Sequence, residues 1–300
     1  MTPLEIDVSP GVRLGGWITA PGAIGGTTPV TLVYCLAGGG CTTGYFDMQL
    51  AGYSMARHLA DRGLVVVALD HLGIGRSAPV ADLYLLTPEV VAAAHSVAVV
   101  ELRRRVPAGS RVVGMGHSMG GMIVDVQQAR HRSFDSIAVL GASGAGLPEV
   151  VSDAERGARG DQLIALARQR FGRGSTVERR SPAHGTYFTP DVPAAAREAF
   201  ADQLAPLLPT CGLAAIVPGA TDAEKAAVTV PVLLAFGEHD FCTDIDASVR
   251  RYASAPTTAY ELAGSGHCHN LASRRAELWD RLAAFSLAPR PARCTGRGRG

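Results

Sequence analysis

Charge is scarce in this sequence: 18% of its 300 residues are charged, the net charge at pH 7 is +1, and Lys225 is the only lysine. A chain without a strong field of one sign does not attract nucleic acid or an anionic membrane surface in a general way. We therefore expect a small-molecule partner, with no nucleic acid, no membrane, and a homodimer as a possible assembly.

Long apolar runs are missing as well. The longest, residues 64–69, is far too short to cross a bilayer, and the first ten residues have neither the basic nor the apolar region of a secretory signal. The six cysteines show no C-x-x-C spacing, and a chain of this length does not depend on disulfides. These absences predict a cytoplasmic protein with reduced thiols.

Apolar residues make up 47% of the chain, which is enough for a sizeable buried core. From about residue 4 to 140, short β-rich runs alternate with helical patterns, which is typical of strands joined by crossover helices in a mostly parallel sheet. The opening segments predict an antiparallel hairpin. Further strands are predicted at 30–37, 64–70, 111–116, 136–142, 231–237 and 257–263, and helices at 47–61, 87–105, 119–131 and 270–285.

This rhythm is interrupted between about residues 144 and 226, where the chain is rich in arginine, alanine and proline. The stretch contains two helical patterns, at 161–170 and 193–205, and an aromatic cluster of Tyr187, Phe188 and Phe200. We interpret 144–226 as a helical cap inserted between two parts of one core, 1–143 and 227–288. The tail, 289–300, is predicted to be disordered.

The segment GHSMG, residues 116–120, lies between a predicted buried strand and a predicted helix. The pattern alone is loose, but in this position its glycines allow a tight turn that exposes the hydroxyl of Ser118 near a helix N-terminus. Ser118 is therefore the candidate nucleophile.

A dinucleotide-binding turn is the alternative, because residues 114–120 and 73–78 also resemble glycine-rich phosphate loops. The first segment lies in mid-chain and the second runs into a proline, and both facts argue against this alternative.

A serine hydroxyl needs a base, and the base needs a carboxylate to orient it. Downstream, one predicted strand leads into Asp240, and the next leads into a glycine-containing loop with His267. Because open α/β sheets build their sites at the carboxyl ends of strands, we select Asp240 as the acid and His267 as the base. His269 is the rival base, and Asp244 and Asp246 are rival acids.

Acyl transfer places negative charge on the former carbonyl oxygen, which fixed N–H donors can stabilise by about 2.7–4 kcal/mol each. One donor is expected from Met119, directly after the nucleophile. The other is expected from the glycine loop 38–40 after the first buried strand, with Gly39 favoured over Gly40. Aromatic residues near these loops or in the cap are candidates for the substrate pocket, namely Tyr45, Phe46, Tyr187, Phe188 and Phe241.

These segments together resemble the α/β-hydrolase superfamily over nearly the whole chain. The matching features are the AGGG loop at 37–40, the strand and turn at 65–77, the GHSMG turn, the GEHD turn at 237–240 and the GSGH loop at 264–267. The resemblance implies an eight-stranded, mostly parallel sheet with helices on both faces, a cap after the sixth strand, and a structural turn at 70–77. The family often has histidine before the oxyanion glycine, where this chain has Ala37.

The resemblance implies a serine hydrolase of the esterase or thioesterase type that acts on a small, mostly apolar metabolite. Lactonases, carbon-carbon bond hydrolases and cofactor-free haloperoxidases belong to the same superfamily. Similar proteins in bacterial natural-product pathways use the same residues to eliminate or transfer an acyl group. A catalytically inactive ligand-binding protein and a nucleotide-dependent oxidoreductase are the alternatives from other classes. No cofactor is expected. A metal is not expected either, because no third ligand accompanies His267 and His269 at metal-binding spacing.

Overall fold

The computed structural model describes residues 1–21, 27–172, 186–242 and 244–289. The strands are β1 (Thr2–Ser9), β2 (Val12–Thr19), β3 (Thr31–Leu36), β4 (Val65–Leu69), β5 (Arg111–His117), β6 (Ser136–Leu140), β7 (Val232–Gly237) and β8 (Thr257–Leu262). They form one sheet in the order β1-β2-β4-β3-β5-β6-β7-β8, in which β2 pairs antiparallel with β1 and β4 and all other neighbours are parallel. The predicted eight-stranded, mostly parallel sheet is thus confirmed. From residue 290 onward, the tail that we predicted to be disordered lies outside the described residues.

The described residues form nine helices: α1 (Met55–Ala60), α2 (Pro88–Arg105), α3 (Met119–His131), α4 (Gly160–Phe171), α5 (Ala194–Ala201), α6 (Pro209–Ile216), α7 (Asp222–Ala227), α8 (Ile245–Arg250) and α9 (Arg275–Leu287). Short 3₁₀ turns cover Thr43–Phe46, Leu83–Leu85 and His269–Leu271. Helix α2 begins as the sequence predicts, because the Thr87 hydroxyl accepts a hydrogen bond from Val90 N and a proline occupies the first turn. Within the described ranges, no helix combines the length and the apolar character needed to cross a bilayer.

The helix predicted over 47–61 is mostly absent. Helix α1 begins only at Met55, where Ser54 Oγ accepts a hydrogen bond from Arg57 N at 3.1 Å. Before it, Gly52 has φ +78°, a left-handed conformation that an α-helix does not accommodate. The helical spacing of the apolar residues at 50 and 53 therefore comes from a turn that packs against the core.

The sheet is covered on both faces, as its apolar strands indicate. In β4, the side chains of Val65, Val67 and Leu69 join one core, and those of Val66 and Ala68 join the core on the opposite face. Each fully buried aliphatic side chain of this size contributes about 1.5–3 kcal/mol to folding. This packing on two sides holds the carboxyl ends of the parallel strands at fixed positions.

Residues 144–226, called the insertion below, lie between β6 and β7 and contain α4, α5, α6 and all but the last residue of α7. Helices α6 and α7 were not predicted, and α5 ends at Ala201 rather than at residue 205. Helix α6 has the sequence PTCGLAAI, which is short and apolar on all sides, so periodicity cannot distinguish it from a strand or a loop.

The only lysine of the chain joins the insertion to the core. Lys225 in α7 donates hydrogen bonds to the carboxylate of Asp125 in α3, to the hydroxyl of Tyr252 at 2.8 Å and to the carbonyl of Ala142 at 3.3 Å. Lys225 and Asp125 are 1% and 0% exposed. A buried charge is tolerated only when it is paired and hydrogen-bonded, and here all three ammonium hydrogens have an acceptor.

Candidate active site

Ser118 lies in the turn between β5 and α3. Its φ of +55° and ψ of −122° are rare for a residue with a side chain. A Cβ on Gly116 would lie 2.2 Å from the carbonyl oxygen of Gly120, and a Cβ on Gly120 would lie 2.2 Å from that of Leu36. Only glycine fits at both positions, and the turn places the serine at the N-terminus of α3, whose partial positive charge favours an anion.

Asp240 and His267 are in direct contact. Nδ1 of His267 donates to Asp240 Oδ1 at 2.6 Å, and the backbone N–H of Phe241 donates to the same oxygen at 2.7 Å. Asp240 follows β7 and His267 follows β8, so neighbouring parallel strands bring them together. Because Nδ1 is occupied, Nε2 is the ring nitrogen available to Ser118, which lines the same cavity as His267. In the described part of the chain the serine and this ring are not hydrogen-bonded, and such contacts often form only when substrate binds.

His269 binds the other oxygen of the same carboxylate. Its Nε2 donates to Asp240 Oδ2 at 3.0 Å, and its side chain is 1% exposed. His267 lines the cavity beside Ser118, whereas His269 is not among the residues of that wall. The two histidines, which are rival bases on sequence alone, therefore occupy different places around one carboxylate.

The rival acids have other contacts. The Asp244 side chain caps helix α8, and Asp246 lies in the first turn of that helix. Glu238 accepts a hydrogen bond from Gly264 N at 2.8 Å and so joins the loop after β7 to the loop after β8. Asp240 is thus the carboxylate of this loop that the two histidines contact.

The surroundings of Asp240 favour its ionised form. Burial by itself would raise the pKa of this carboxyl, but the charge of His267 and the hydrogen bonds from His267 and His269 outweigh burial, so the pKa lies well below its usual value. An ionised Asp240 keeps the hydrogen of His267 on Nδ1 and stabilises the ring when it becomes charged.

His117, the residue before Ser118, was missed as a site residue. Its Nε2 donates to the backbone oxygen of His267 at 2.8 Å, and its ring stacks on that of Tyr45 with 4.5 Å between centroids. Burial, and then repulsion from His267 and His269, lowers the pKa of His117 well below its usual value, which favours the neutral ring. His117 thereby joins the serine turn to the histidine loop, and its place inside the GHSMG motif was the available signal.

Gly141, directly after β6, was also missed. It has φ +64°, and a Cβ there would lie 2.9 Å from Cε1 of His267 and 3.2 Å from Asp240 Oδ2. The glycine leaves the space that the imidazole occupies. A glycine at the carboxyl end of a predicted buried strand is the sequence signal that could have identified it.

The glycine loop 38–40 lies against the serine turn. A Cβ on Gly39 would lie 3.6 Å from Cβ of Met119, and both residues line the cavity. Gly40 is in the left-handed conformation, with φ +72°, and its carbonyl accepts a hydrogen bond from Ala205 N at 3.0 Å. Gly39 and Met119 therefore lie next to each other at the cavity, while Gly40 contacts the insertion.

A cavity of about 330 Å³ opens beside Ser118. Tyr187 and Phe241, two of the predicted pocket aromatics, line it, with 5.3 Å between their ring centroids. Much of the remaining wall is apolar and comes from the insertion: Leu147, Phe171, Leu207, Ala214, Ala215, Ile216 and Val217. The surface that a bound molecule would touch is therefore mainly apolar.

The other three predicted pocket aromatics do not line this cavity, which corrects the expectation for them. Tyr45, Phe46 and Phe188 are 1%, 0% and 4% exposed. They pack together in the core, where Tyr45 lies edge-on to Phe46 and Phe188 lies edge-on to Phe200. A large apolar side chain beside a functional loop is as easily buried under the loop as directed into the pocket.

The glycine-rich segments that suggested nucleotide binding have packing roles. A Cβ on Gly114 would lie 2.5 Å from the ring of Phe134, so the space beside this glycine is filled. In the turn 70–77, the Asp70 carboxylate accepts hydrogen bonds from Thr43 N at 2.7 Å and Arg76 N at 2.9 Å. Among the residues that the structure describes, no group of three or more His, Cys, Asp or Glu is placed to hold a metal ion.

The comparison with known protein families gives the class of this chain. A profile of the alpha/beta hydrolase family matches residues 33–281. The chain belongs to this family, and its membership supports a hydrolase activity. None of the curated protein sequences compared with the chain matches it.

Several solved structures are similar to the chain. An esterase from Exiguobacterium antarcticum has a TM-score of 0.68 and 17% identity, covering 96% of this chain and 100% of its own. A thioesterase domain from the curacin biosynthetic pathway has a TM-score of 0.59 and 16% identity, covering 96% and 99%. A bromoperoxidase from Bacillus anthracis has a TM-score of 0.64 and 14% identity, covering 95% and 98%. At these identities, the similarity shows the fold.

Proposed function

We propose that the protein is a serine-dependent hydrolase of the esterase or thioesterase type, acting on a small, mostly apolar metabolite. The main support is the arrangement of three groups at one edge of the sheet. Ser118 stands on a tight turn beside a cavity, His267 lines the same cavity, and Asp240 holds the His267 ring at 2.6 Å.

In this proposal, Nε2 of His267 removes the proton of Ser118 as its Oγ attacks the carbonyl carbon of the substrate. Asp240 stabilises the resulting imidazolium through Oδ1 and keeps it oriented. His267 then gives the proton to the leaving group, which departs and leaves an acyl-serine. Water, activated by the same imidazole, attacks the acyl-serine and restores the free hydroxyl.

The negative charge that develops on the carbonyl oxygen needs N–H donors. The backbone N–H groups of Met119 and Gly39 are our candidates, with Gly40 as second choice for the loop donor. Both Met119 and Gly39 border the cavity at the serine turn. Each such donor contributes about 2.7–4 kcal/mol to the stabilisation of the transition state.

We propose that the insertion, residues 144–226, acts as a cap between core parts 1–143 and 227–288. In support, the insertion supplies much of the cavity wall and also binds both functional loops. The carbonyl of Thr186 accepts a hydrogen bond from His267 N at 2.6 Å, and Ala205 N donates to Gly40 O at 3.0 Å. An apolar acyl group would pack against α6, so the cap would select the substrate.

Labelling with an alkyl fluorophosphonate tests this function. We expect one adduct per chain, located on Ser118 by peptide mapping, together with hydrolysis of short p-nitrophenyl esters. The variant Ser118→Ala, which keeps the fold, should show neither. A folded wild-type protein that gives no adduct and no ester hydrolysis would instead be an inactive ligand-binding protein on this fold.

Acyl elimination or transfer by the same three residues is the second candidate. The largely apolar wall of the cavity supports it, because an apolar acceptor bound against that wall would compete with water for the acyl-serine. Turnover in ¹⁸O-water distinguishes the two. Hydrolysis places the heavy oxygen in the released acid. In elimination the acid leaves with its two original oxygens, and in transfer the acyl group goes to an acceptor, so neither outcome incorporates the label.

A further inference from the structure

The residue before the glycine loop is held by a buried histidine. Ala37 has no polar side chain, but its carbonyl accepts a hydrogen bond from Nε2 of His71 at 3.0 Å. His71 follows β4 and is 2% exposed. Since a carbonyl can only accept, Nε2 carries the hydrogen and, in the neutral ring, Nδ1 is left as an acceptor.

Nδ1 of His71, the acceptor, receives a hydrogen bond from His95. Nε2 of His95 in α2 lies 3.0 Å from Nδ1 of His71, and the hydroxyl of Tyr34 in β3 lies 2.7 Å from Nδ1 of His95. The hydrogens of the neutral rings can be placed in one way only: Tyr34 donates to His95, His95 to His71, and His71 to Ala37. We call these three side chains the histidine relay.

The relay is fully enclosed. Tyr34 and His95 are both 0% exposed, and burial lowers the pKa of His71 and, further, that of His95, which favours the neutral rings that the relay needs. Every ring nitrogen in the relay has a partner, whereas Nδ1 atoms of two other buried histidines, His117 and His269, have none. A buried polar chain with complete hydrogen bonding resists displacement, because breaking one link leaves a buried group unsatisfied.

The relay acts on the loop that carries the proposed oxyanion donor. The Ala37 carbonyl belongs to the peptide plane that leads into Gly38, so its direction sets the orientation of the glycines that follow. Three residues after Ala37, the carbonyl of Gly40 accepts a hydrogen bond from Ala205 N at 3.0 Å. Gly39 lies between these two anchors and lines the cavity.

We propose that His71 and His95 are positioning residues that aim the N–H of Gly39 into the oxyanion hole through the carbonyl of Ala37. This inference rests on the proposed serine-hydrolase function. Tyr34 completes the relay and fixes the direction of its hydrogen bonds.

The variants His71→Leu and His71→Gln test the proposal. Leucine fills similar space without a donor, while the glutamine amide can still donate to the Ala37 carbonyl. For His71→Leu we expect kcat on short p-nitrophenyl esters to fall roughly 10- to 100-fold, with KM changed less than about threefold. The inhibition constant of a trifluoromethyl ketone, which forms a tetrahedral adduct on the serine, should rise in parallel. His71→Gln should restore kcat to within about threefold of wild type.

A graded series keeps the test decisive if His71→Leu does not fold. His95→Leu breaks the relay one step further from the loop, and Tyr34→Phe removes only its last hydroxyl, so the losses in kcat should decrease in that order. His58→Leu is the matched control, since His58 binds Asp280 at 2.8 Å on the other side of the sheet from the relay. It should lower the melting temperature without lowering kcat.

If the relay variants lose stability but keep wild-type kcat and inhibitor affinity, the relay is only structural and the proposal is wrong. Failure of the proposed function looks different, because wild-type protein would then take no phosphonate label. In that case the amide resonances of residues 38–40 still decide the inference. A shift in His71→Leu but not in His58→Leu supports positioning of the loop, and unchanged resonances overturn it.

Discussion

The core and the insertion divide the proposed work of this protein between them. In the core, Ser118, Asp240 and His267 follow the carboxyl ends of three parallel strands, and glycines at 116, 120 and 141 leave space for the serine turn and for the imidazole. The insertion contributes apolar side chains from α4, from α6 and from its connecting segments to the cavity wall. In our proposal, the chemistry therefore depends on backbone positions that leave no room for a Cβ, while substrate choice depends on the side chains of the cavity wall.

The largest effect should come from the core. Ser118→Ala removes the proposed nucleophile, so we expect ester hydrolysis to fall on the order of 10⁴-fold or more, since what remains after loss of one member of such a triad is a small fraction of the rate. Steady-state assays and phosphonate labelling measure this. Melting temperature should stay close to wild type, and rates that survive the substitution would move the chemistry away from this turn.

A second comparison separates the two histidines on Asp240. His267→Ala should lower kcat on the order of 10³-fold or more because it removes the base, whereas His269→Ala should lower it only about tenfold because Asp240 keeps its bond to His267. Both variants empty a buried imidazole site, so each is the other's control for folding. Equal losses, or a larger loss at 269, would reverse the assignment of the base.

The buried pair of Lys225 and Asp125, which connects the insertion to the core, should contribute to stability. Lys225→Met leaves Asp125 buried without its partner, which is expected to lower the free energy of unfolding by about 3–5 kcal/mol in urea titrations. The double variant Lys225→Met, Asp125→Leu should recover much of this loss. Arg104→Met, which removes an exposed pair with Glu101, is the surface control and should change stability by less than about 1 kcal/mol.

The insertion itself should control selectivity. Ala215→Leu extends a side chain of α6 into the cavity, and we expect kcat/KM for a p-nitrophenyl octanoate to fall about tenfold relative to the acetate. Val150→Leu, at an exposed position of the insertion outside the cavity wall, should leave the ratio unchanged. An unchanged ratio in Ala215→Leu would mean that the acyl group does not lie against α6.

The smallest effect should be a change in how the free energy of unfolding depends on pH in the acid range. The folded-state pKa of Asp240 lies below that of the unfolded chain, so the ionised carboxylate stabilises the fold above the unfolded pKa of about 3.9, and this stability is lost as pH falls further. Asp240→Asn cannot titrate. The difference in unfolding free energy between wild type and this variant should therefore decrease as pH falls below about 4. A constant difference would contradict the lowered pKa of Asp240 in the folded protein.

The core was largely predictable from the sequence, and the insertion was not. Apolar runs bounded by glycines marked the buried strands, and the positions of Ser118 and Asp240 at strand ends follow from that pattern, whereas His267 follows the mostly exposed strand β8. The fold class was confirmed, while the roles of these three residues stay predictions. The helix over 47–61 was wrong because Gly52 adopts a left-handed conformation, and α6 was missed because a short apolar helix carries no distinctive period. Helix α7, with the sequence DAEKAA, was missed because six residues are too few to show a period.

Side-chain orientation was the other limit. Nothing in the sequence distinguishes Phe241, which reaches the cavity, from Phe46, which is buried under the neighbouring loop. The relay of His71, His95 and Tyr34 was equally hidden, because its members are 24 and 61 residues apart along the chain. Such networks depend on how elements pack, which local patterns do not encode.

The chain carries a single lysine, and that lysine is 1% exposed. Its ammonium group can therefore report local opening of the protein. Amine-directed reagents meet only the N-terminal amine while α7 stays docked. The slow rate at which Nζ of Lys225 is acylated would then measure how often α7 leaves the core. The same buried ammonium that secures the structure thus makes its transient opening measurable in the unaltered protein.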